Sequence, residues 1–124
     1  METPRRILFV DDEPDIREFI SYSLSRKGFL VFTAPDGKAG YELAVEHRPH
    51  LVILDILMPV MNGYETCRRM RKNPLFTETK ILFLSALSES YVRELGEQLD
   101  ADGYISKPVR MEMLIRKVSE WARK

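Results

Sequence analysis

Apolar residues along this 124-residue chain fall into two kinds of segment that take turns. The first kind is a short unbroken run: Ile7–Val10, Phe29–Thr33, Leu51–Leu54, Ile81–Leu84 and Gly103–Ile105. Unbroken runs rich in Val, Ile, Leu and Phe mark parallel strands covered on both faces, since a strand wetted on one side would alternate apolar with polar. The second kind repeats with helical period. Ile16, Phe19, Ile20 and Leu24 predict one face of a first helix, entered through Asp12-Glu13-Pro14 and stopped by Gly28. A second runs from about Asp36 to His47, with Ala39, Leu43 and Ala44 inward and Pro49 ending it. A third begins near Gly63 and stops before Pro74; a fourth carries Tyr91, Val92, Leu95 and Leu99. The last has the cleanest stripe: Met111, Leu114, Ile115, Val118, Trp121 and Ala122.

Strand followed by helix, five times over, predicts an α/β fold: a parallel sheet with helices on both faces, because right-handed crossovers supply covering layers. Five strands fit the doubly wound, flavodoxin-like order 2-1-3-4-5, a three-layer (βα)5 sandwich whose switch point lies between strands 1 and 3. Those two strands end in Asp11-Asp12 and in Asp55. The acids therefore fall in the crevice where open α/β sheets bind ligands.

Composition narrows the class. The length suits one domain over residues 1–124, able to bury about two thirds of its unfolded surface. At 44% apolar and 31% charged, the chain has a globular composition. Nineteen basic residues balance nineteen acidic ones, which gives no overall electrostatic footprint for nucleic acid or anionic lipid. No stretch approaches the roughly 20 apolar residues of a membrane span, and Met1-Glu2-Thr3-Pro4-Arg5-Arg6 is not followed by a leader's apolar region. A single cysteine, Cys67, makes no internal disulfide and agrees with a reducing cytoplasm.

The crevice chemistry follows from the strand ends. A nucleotide phosphate wants a glycine-rich first loop with free amides. Asp11-Asp12-Glu13-Pro14 offers carboxylates instead, and no G-x-G-x-x-G or Walker sequence occurs. Crowded carboxylates raise one another's pKa unless a cation compensates, so a hard divalent ion such as magnesium (Mg2+) is expected. With the charge neutralised, Asp55 can act as a nucleophile toward a phosphoryl group. Ser85, after Ile81–Leu84, offers a hydroxyl, and Lys107, after Gly103-Tyr104-Ile105-Ser106, offers a cation at the same edge.

Asp11-Asp12 after strand 1, Asp55 with Met58-Pro59 and Asn62-Gly63 after strand 3, Ser85-Ala86 after strand 4 and Lys107-Pro108 after strand 5 follow in that order. Together they resemble the receiver domain of bacterial two-component response regulators, over essentially the whole chain and most like a stand-alone chemotaxis-type receiver. The resemblance implies that Asp55 accepts a phosphoryl group from a phosphohistidine on a sensor histidine kinase or phosphotransfer protein. It implies magnesium bound by Asp12, Asp55 and the carbonyl of Leu57, with Asp11 contributing directly or through water. Ser85 and Lys107 would contact the phosphoryl group, and Tyr104 would move from solvent to a buried rotamer as Ser85 shifts. That movement would remodel the face of helix 4, strand 5 and helix 5, toward a downstream protein target or a missing output domain, with a monomer or a weak phosphorylation-dependent dimer as the assembly. The Lys-Pro bond of the family is typically cis. Asn62 stands where many members have Asp, Ser85 where Thr is commoner, and Leu57 and Leu87 where some relatives are polar. The last two imply a long-lived phosphoryl group.

Each residue also has a plainer reading. Asp11 and Asp12 can cap a helix, Asp55 a loop, and Lys107-Pro108 can simply turn the chain. Tyr104 can be packing. His47 and His50 read as surface residues at the far end of the sheet. Arg68, Arg69, Arg71 and Lys72 read as a solvated helix face, and Cys67, Met70 and Trp121 as core or its edge. A phosphohydrolase of the haloacid-dehalogenase type would carry a second acid two residues after its nucleophile, where this chain has Leu57. A receiver that binds partners without phosphorylation would not need all the reactive residues present here.

Overall fold

The computed structural model describes residues 3–124. Met1 and Glu2, which open the start segment read above, lie outside the described residues. Five strands and five helices alternate: β1 (Arg6–Val10), α1 (Pro14–Ser25), β2 (Leu30–Ala34), α2 (Gly37–His47), β3 (Leu51–Asp55), α3 (Gly63–Arg71), β4 (Lys80–Ser85), α4 (Glu89–Leu99), β5 (Gly103–Ser106) and α5 (Met111–Ala122). A single 3-10 turn, Pro74–Phe76, separates α3 from β4. All pairings are parallel and the order is β2-β1-β3-β4-β5, the doubly wound arrangement that the alternation predicts.

Because side chains on a strand point alternately to its two faces, each apolar run feeds two cores. Leu8, Val10, Val52, Leu54, Ile81 and Phe83 face one side, against Ala44 of α2, Cys67 and Met70 of α3, and Val92, Leu95 and Leu99 of α4. Ile7, Phe9, Leu51, Ile53, Leu82 and Leu84 face the other, against Ile20 and Leu24 of α1 and Leu114, Ile115 and Val118 of α5. Fully burying each such side chain contributes about 1.5–3 kcal/mol. The central strands thus fix the C-terminal edge of the sheet as a rigid platform. Burial also pushes the Cys67 thiol up to about 12, so it is protonated and unreactive in the fold.

Several sequence expectations shift. β2 begins one residue later than the apolar run, because the Phe29 amide donates back to the carbonyl of Leu24. Phe19 and Tyr91, placed on inward faces by their spacing, are exposed, and the buried stripes consist of Ile20 with Leu24 and of Val92, Leu95 and Leu99. His47 and His50 are not free surface residues. His47 stacks on Phe32 with ring centroids 4.0 Å apart. His50 accepts a hydrogen bond at Nδ1 from the Arg6 amide (2.9 Å), and its own amide donates to the Arg6 carbonyl (2.8 Å). Burial, then the charges of Arg6 and Arg5, hold the His50 imidazole below its ordinary pKa. Arg71 also departs from a solvated helix face: it donates to the carbonyls of Asp100 and Phe76 and pairs with Asp102, tying α3 to the α4–β5 turn.

Candidate functional site

Asp11 leaves β1 as its amide donates to the Ala34 carbonyl (3.1 Å), which extends the sheet one step past Val10. Its Oδ1 accepts from the Glu13 amide (2.9 Å), turning the chain into α1, where Pro14 occupies the first turn. Arg17, one turn into α1, donates to the Asp11 carbonyl (2.7 Å) and fixes the loop from below. Asp11 is fully buried, while Asp12, the next residue, is exposed. The carboxyl oxygen Oδ2 of Asp11 has no hydrogen-bond partner, an unusual condition for a buried acceptor.

Asp55 is the last residue of β3 and 5% exposed. Beyond it the Ile56 amide donates to the Leu84 carbonyl and the Gly63 amide to the Ile56 carbonyl, folding the loop back beside the strand end. A Cβ at Gly63 would overlap the Asp55 carbonyl, so this close return requires glycine. Asn62 caps α3 by accepting from the Glu65 amide (2.9 Å). Val60, between them, has φ 67° and is 77% exposed; a β-branched residue rarely adopts that conformation.

Lys107 follows β5, held by its amide to the Ser85 carbonyl (2.7 Å), and the Lys107–Pro108 bond is cis. Its ammonium donates to Asp55 Oδ2 at 3.0 Å and lies 3.6 Å from Asp11 Oδ2, close enough to attract but too far for a hydrogen bond. Ser85 is buried at the end of β4, its hydroxyl accepting from the Leu87 amide (3.0 Å). Leu57 projects into solvent, 60% exposed, while its amide donates to Asp55 Oδ1 (3.3 Å). Tyr104 sits apart from the acids on β5. Its hydroxyl donates to Glu89 (2.6 Å) and accepts from Arg93 (3.0 Å), holding the ring outward against α4.

The fold therefore brings Asp11, Asp12, Asp55 and Lys107 together, with Ser85 on the adjacent strand end. Sequence reasoning missed Arg17, Gly63 as a steric requirement, and the Glu89–Arg93 pair that holds Tyr104. Only the i, i+4 spacing of Glu89 and Arg93 was a visible signal, and such pairs are common on helices.

One oxygen from each of Asp11, Asp12 and Asp55 lies within 4.8 Å of the others. Burial raises the Asp55 pKa, opposed by the Lys107 hydrogen bond and charge and reinforced by the charge of Asp11. For Lys107, burial acts downward, but the hydrogen bond to Asp55 and the charges of Asp55, Asp11 and Glu13 outweigh it and raise its pKa. Lys107 thus stays an ammonium, while Asp55 carries a burial cost that one ammonium shared with Asp11 does not remove. Three carboxylates against one ammonium, all donors oxygen, and one buried oxygen without a partner fit a hard divalent cation.

Comparison with known proteins identifies the family and the fold. The model of the response regulator receiver domain family matches residues 7–119. The probable transcriptional regulator ycf27 of Guillardia theta is 40% identical over 108 residues, 87% of this chain and 41% of that protein. The alkaline phosphatase synthesis transcriptional regulatory protein PhoP of Bacillus subtilis is 38% identical over 104 residues, 84% of this chain and 42% of that protein. The chain thus spans about two fifths of the length of these relatives. Among solved structures, the chemotaxis response regulator CheY4 of Vibrio cholerae superposes with a TM-score of 0.88 at 31% identity, covering 96% of this chain and 99% of that one.

Proposed function

The chain belongs to the response regulator receiver domain family, and on that premise we propose that Asp55 accepts a phosphoryl group from a histidine kinase or phosphotransfer protein and that the acylphosphate switches a protein-binding surface. The observation that carries this reading is the Asp55 carboxylate: buried at a strand end, paired with Lys107 at 3.0 Å, and grouped with the oxygens of Asp11 and Asp12. Asp11, Asp12, Asp55 and the Leu57 carbonyl would hold magnesium, which when bound supplies positive charge to the site and to phosphoryl oxygens.

In the transfer, an Asp55 oxygen forms a bond to phosphorus as the N–P bond of the donor phosphohistidine breaks. The electron pair leaves with the imidazole nitrogen, which takes up a proton. Phosphoryl transfer needs chiefly positioning and charge stabilisation. Lys107, kept protonated by its carboxylate neighbours, provides a fixed cation beside the incoming oxygens. The Ser85 hydroxyl, which already accepts from Leu87, retains its own proton to donate to a phosphoryl oxygen. The chain is on this account a phosphoacceptor that assists its own phosphorylation and dephosphorylation, not a turnover enzyme. Leu57 leaves no second acid where a haloacid-dehalogenase-type phosphohydrolase needs one.

Output would follow from Ser85. Its shift toward phosphoryl oxygens frees space beside β5, and Tyr104 leaves Glu89 and Arg93 for that space, altering the face of α4, β5 and α5. The recipient is a downstream protein or an output domain, with a monomer or a weak phosphorylation-dependent dimer as the assembly. A phosphohistidine-bearing donor domain tests the reading directly. Label should move from donor to this chain when magnesium is present; label retained on a competent donor, across several unrelated kinases, would contradict it.

A further inference from the structure

At the end of the sheet opposite the carboxylates lies an open cleft of about 960 Å³. Its cations arrive from separate parts of the chain: Arg5 and Arg6 at the start of β1, Lys27 in the α1–β2 turn and Arg123 at the end of α5, with His50 from the α2–β3 turn and the Thr3 hydroxyl beside them. Among the described residues no carboxylate lines it, although the chain as a whole carries as many acids as bases. Among the described residues, none of the four cations forms an ion pair.

The groups are also oriented. Arg6 is anchored through Nε and Nη2 to the carbonyls of His47 and Arg48 (2.9–3.0 Å), so its guanidinium is held in place without losing charge. The Arg123 guanidinium rests 5.1 Å over the Phe29 ring, which forms an apolar floor. Because His50 Nδ1 accepts from the Arg6 amide, the neutral ring carries its proton on Nε2, a donor beside the cations. Gly28, at φ 95°, leaves open space where a side chain would stand. Fixed donors and uncompensated positive charge in a concave wall focus potential and raise the local concentration of anions.

We propose that this distal cleft is a binding site for a soluble anion bearing linked phosphate groups, inorganic or on a nucleoside. Several phosphates are required because the cations enter from different sides of the cleft, and guanidinium and ammonium groups pair with phosphate oxygens by charge-assisted hydrogen bonds. Occupation would clamp β1, the α1–β2 turn and the end of α5 together, far from the carboxylate edge.

The test is titration with tripolyphosphate and, separately, ATP, followed by the side-chain NMR signals of His50 and Phe29 at constant ionic strength. Both signals should move along a saturating curve, while those of Lys107 follow a separate course or stay still. Arg5→Gln and Lys27→Gln, both at exposed positions, should each weaken binding by about three- to fivefold, the scale of an exposed charge pair. Equal affinity for the two probes would assign recognition to the phosphates; tighter ATP binding would assign part of it to the nucleoside. Non-saturating shifts matched by chloride, or unchanged affinity in the double variant, would overturn the proposal.

Discussion

Replacing Asp11 by Asn should stabilise the fold when no divalent cation is present. The amide keeps an Oδ1 acceptor for the Glu13 amide and the same shape; it removes the charge and replaces the unpartnered Oδ2 by an NH2, which can donate to the neighbouring Asp55 carboxylate. At an effective dielectric of about 20, the Lys107 ammonium 3.6 Å away contributes about 4–5 kcal/mol of attraction. Asp55, with an oxygen within 4.8 Å, repels by at least about 3.5 kcal/mol on the same scale, and exposed Asp12 adds a smaller, screened repulsion. These nearly cancel. What remains is the cost of burying a charged oxygen with no hydrogen-bond partner, about 1–3 kcal/mol, and the Asn variant should gain roughly that amount. Urea denaturation in EDTA would show it as a midpoint raised by about 1 M. Magnesium should narrow the difference, adding about 1.4 kcal/mol to wild type at ten times its dissociation constant and much less to the variant. An Asn variant no more stable in EDTA, or one stabilised by magnesium as strongly as wild type, would refute the reasoning.

Three further outcomes are expected. Val60→Gly should raise stability by about 0.5–1 kcal/mol, since relief of a left-handed conformation costing about 1–2 kcal/mol exceeds the entropy lost by glycine; a thermal melt below wild type would count against it. For His50, whose pKa is lowered in the fold, the unfolded chain takes up its proton first as pH falls. Its contribution to stability is thus complete above about pH 6.5 and lost as pH drops through that value toward the lowered one, and His50→Gln should flatten the slope of urea midpoint against pH in that window. The phosphorylated protein, freed of donor, should hold its phosphoryl group for much longer than seconds, because Leu57 and Leu87 place no polar group to direct water at Asp55. Leu87→Glu should shorten that lifetime, as followed by mass; wild-type decay within seconds would exclude the role given to these residues.

The parallel sheet was readable in the chain because strands covered on both faces leave unbroken apolar runs, and Leu51–Leu54 and Ile81–Leu84 are buried throughout. Asp11, Asp55 and Ser85 were readable as neighbours because each immediately follows such a run, and Lys107 because it stands two residues past Gly103–Ile105, so the topology alone carries them to one edge. Other features depend on tertiary partners that local patterns do not encode. Phe19 and Tyr91 fit a loose 3–4 spacing but lie outside the buried arcs of their helices. The work of Arg71 is done on Asp100, Phe76 and Asp102, which lie beyond α3. His50 takes its role from Arg6, 44 residues away. The unpartnered oxygen of Asp11 and the strained Val60 are properties of geometry, and nothing in their neighbours' identities announces them.

Intact-protein mass after incubation with acetyl phosphate tests the central claim most directly, on wild type and Asp55→Asn, with magnesium and with EDTA. The account predicts a gain of one phosphoryl group in wild type with magnesium and in no other sample. An equal gain in folded Asp55→Asn, or none in wild type after a phosphohistidine donor is also supplied, would contradict it.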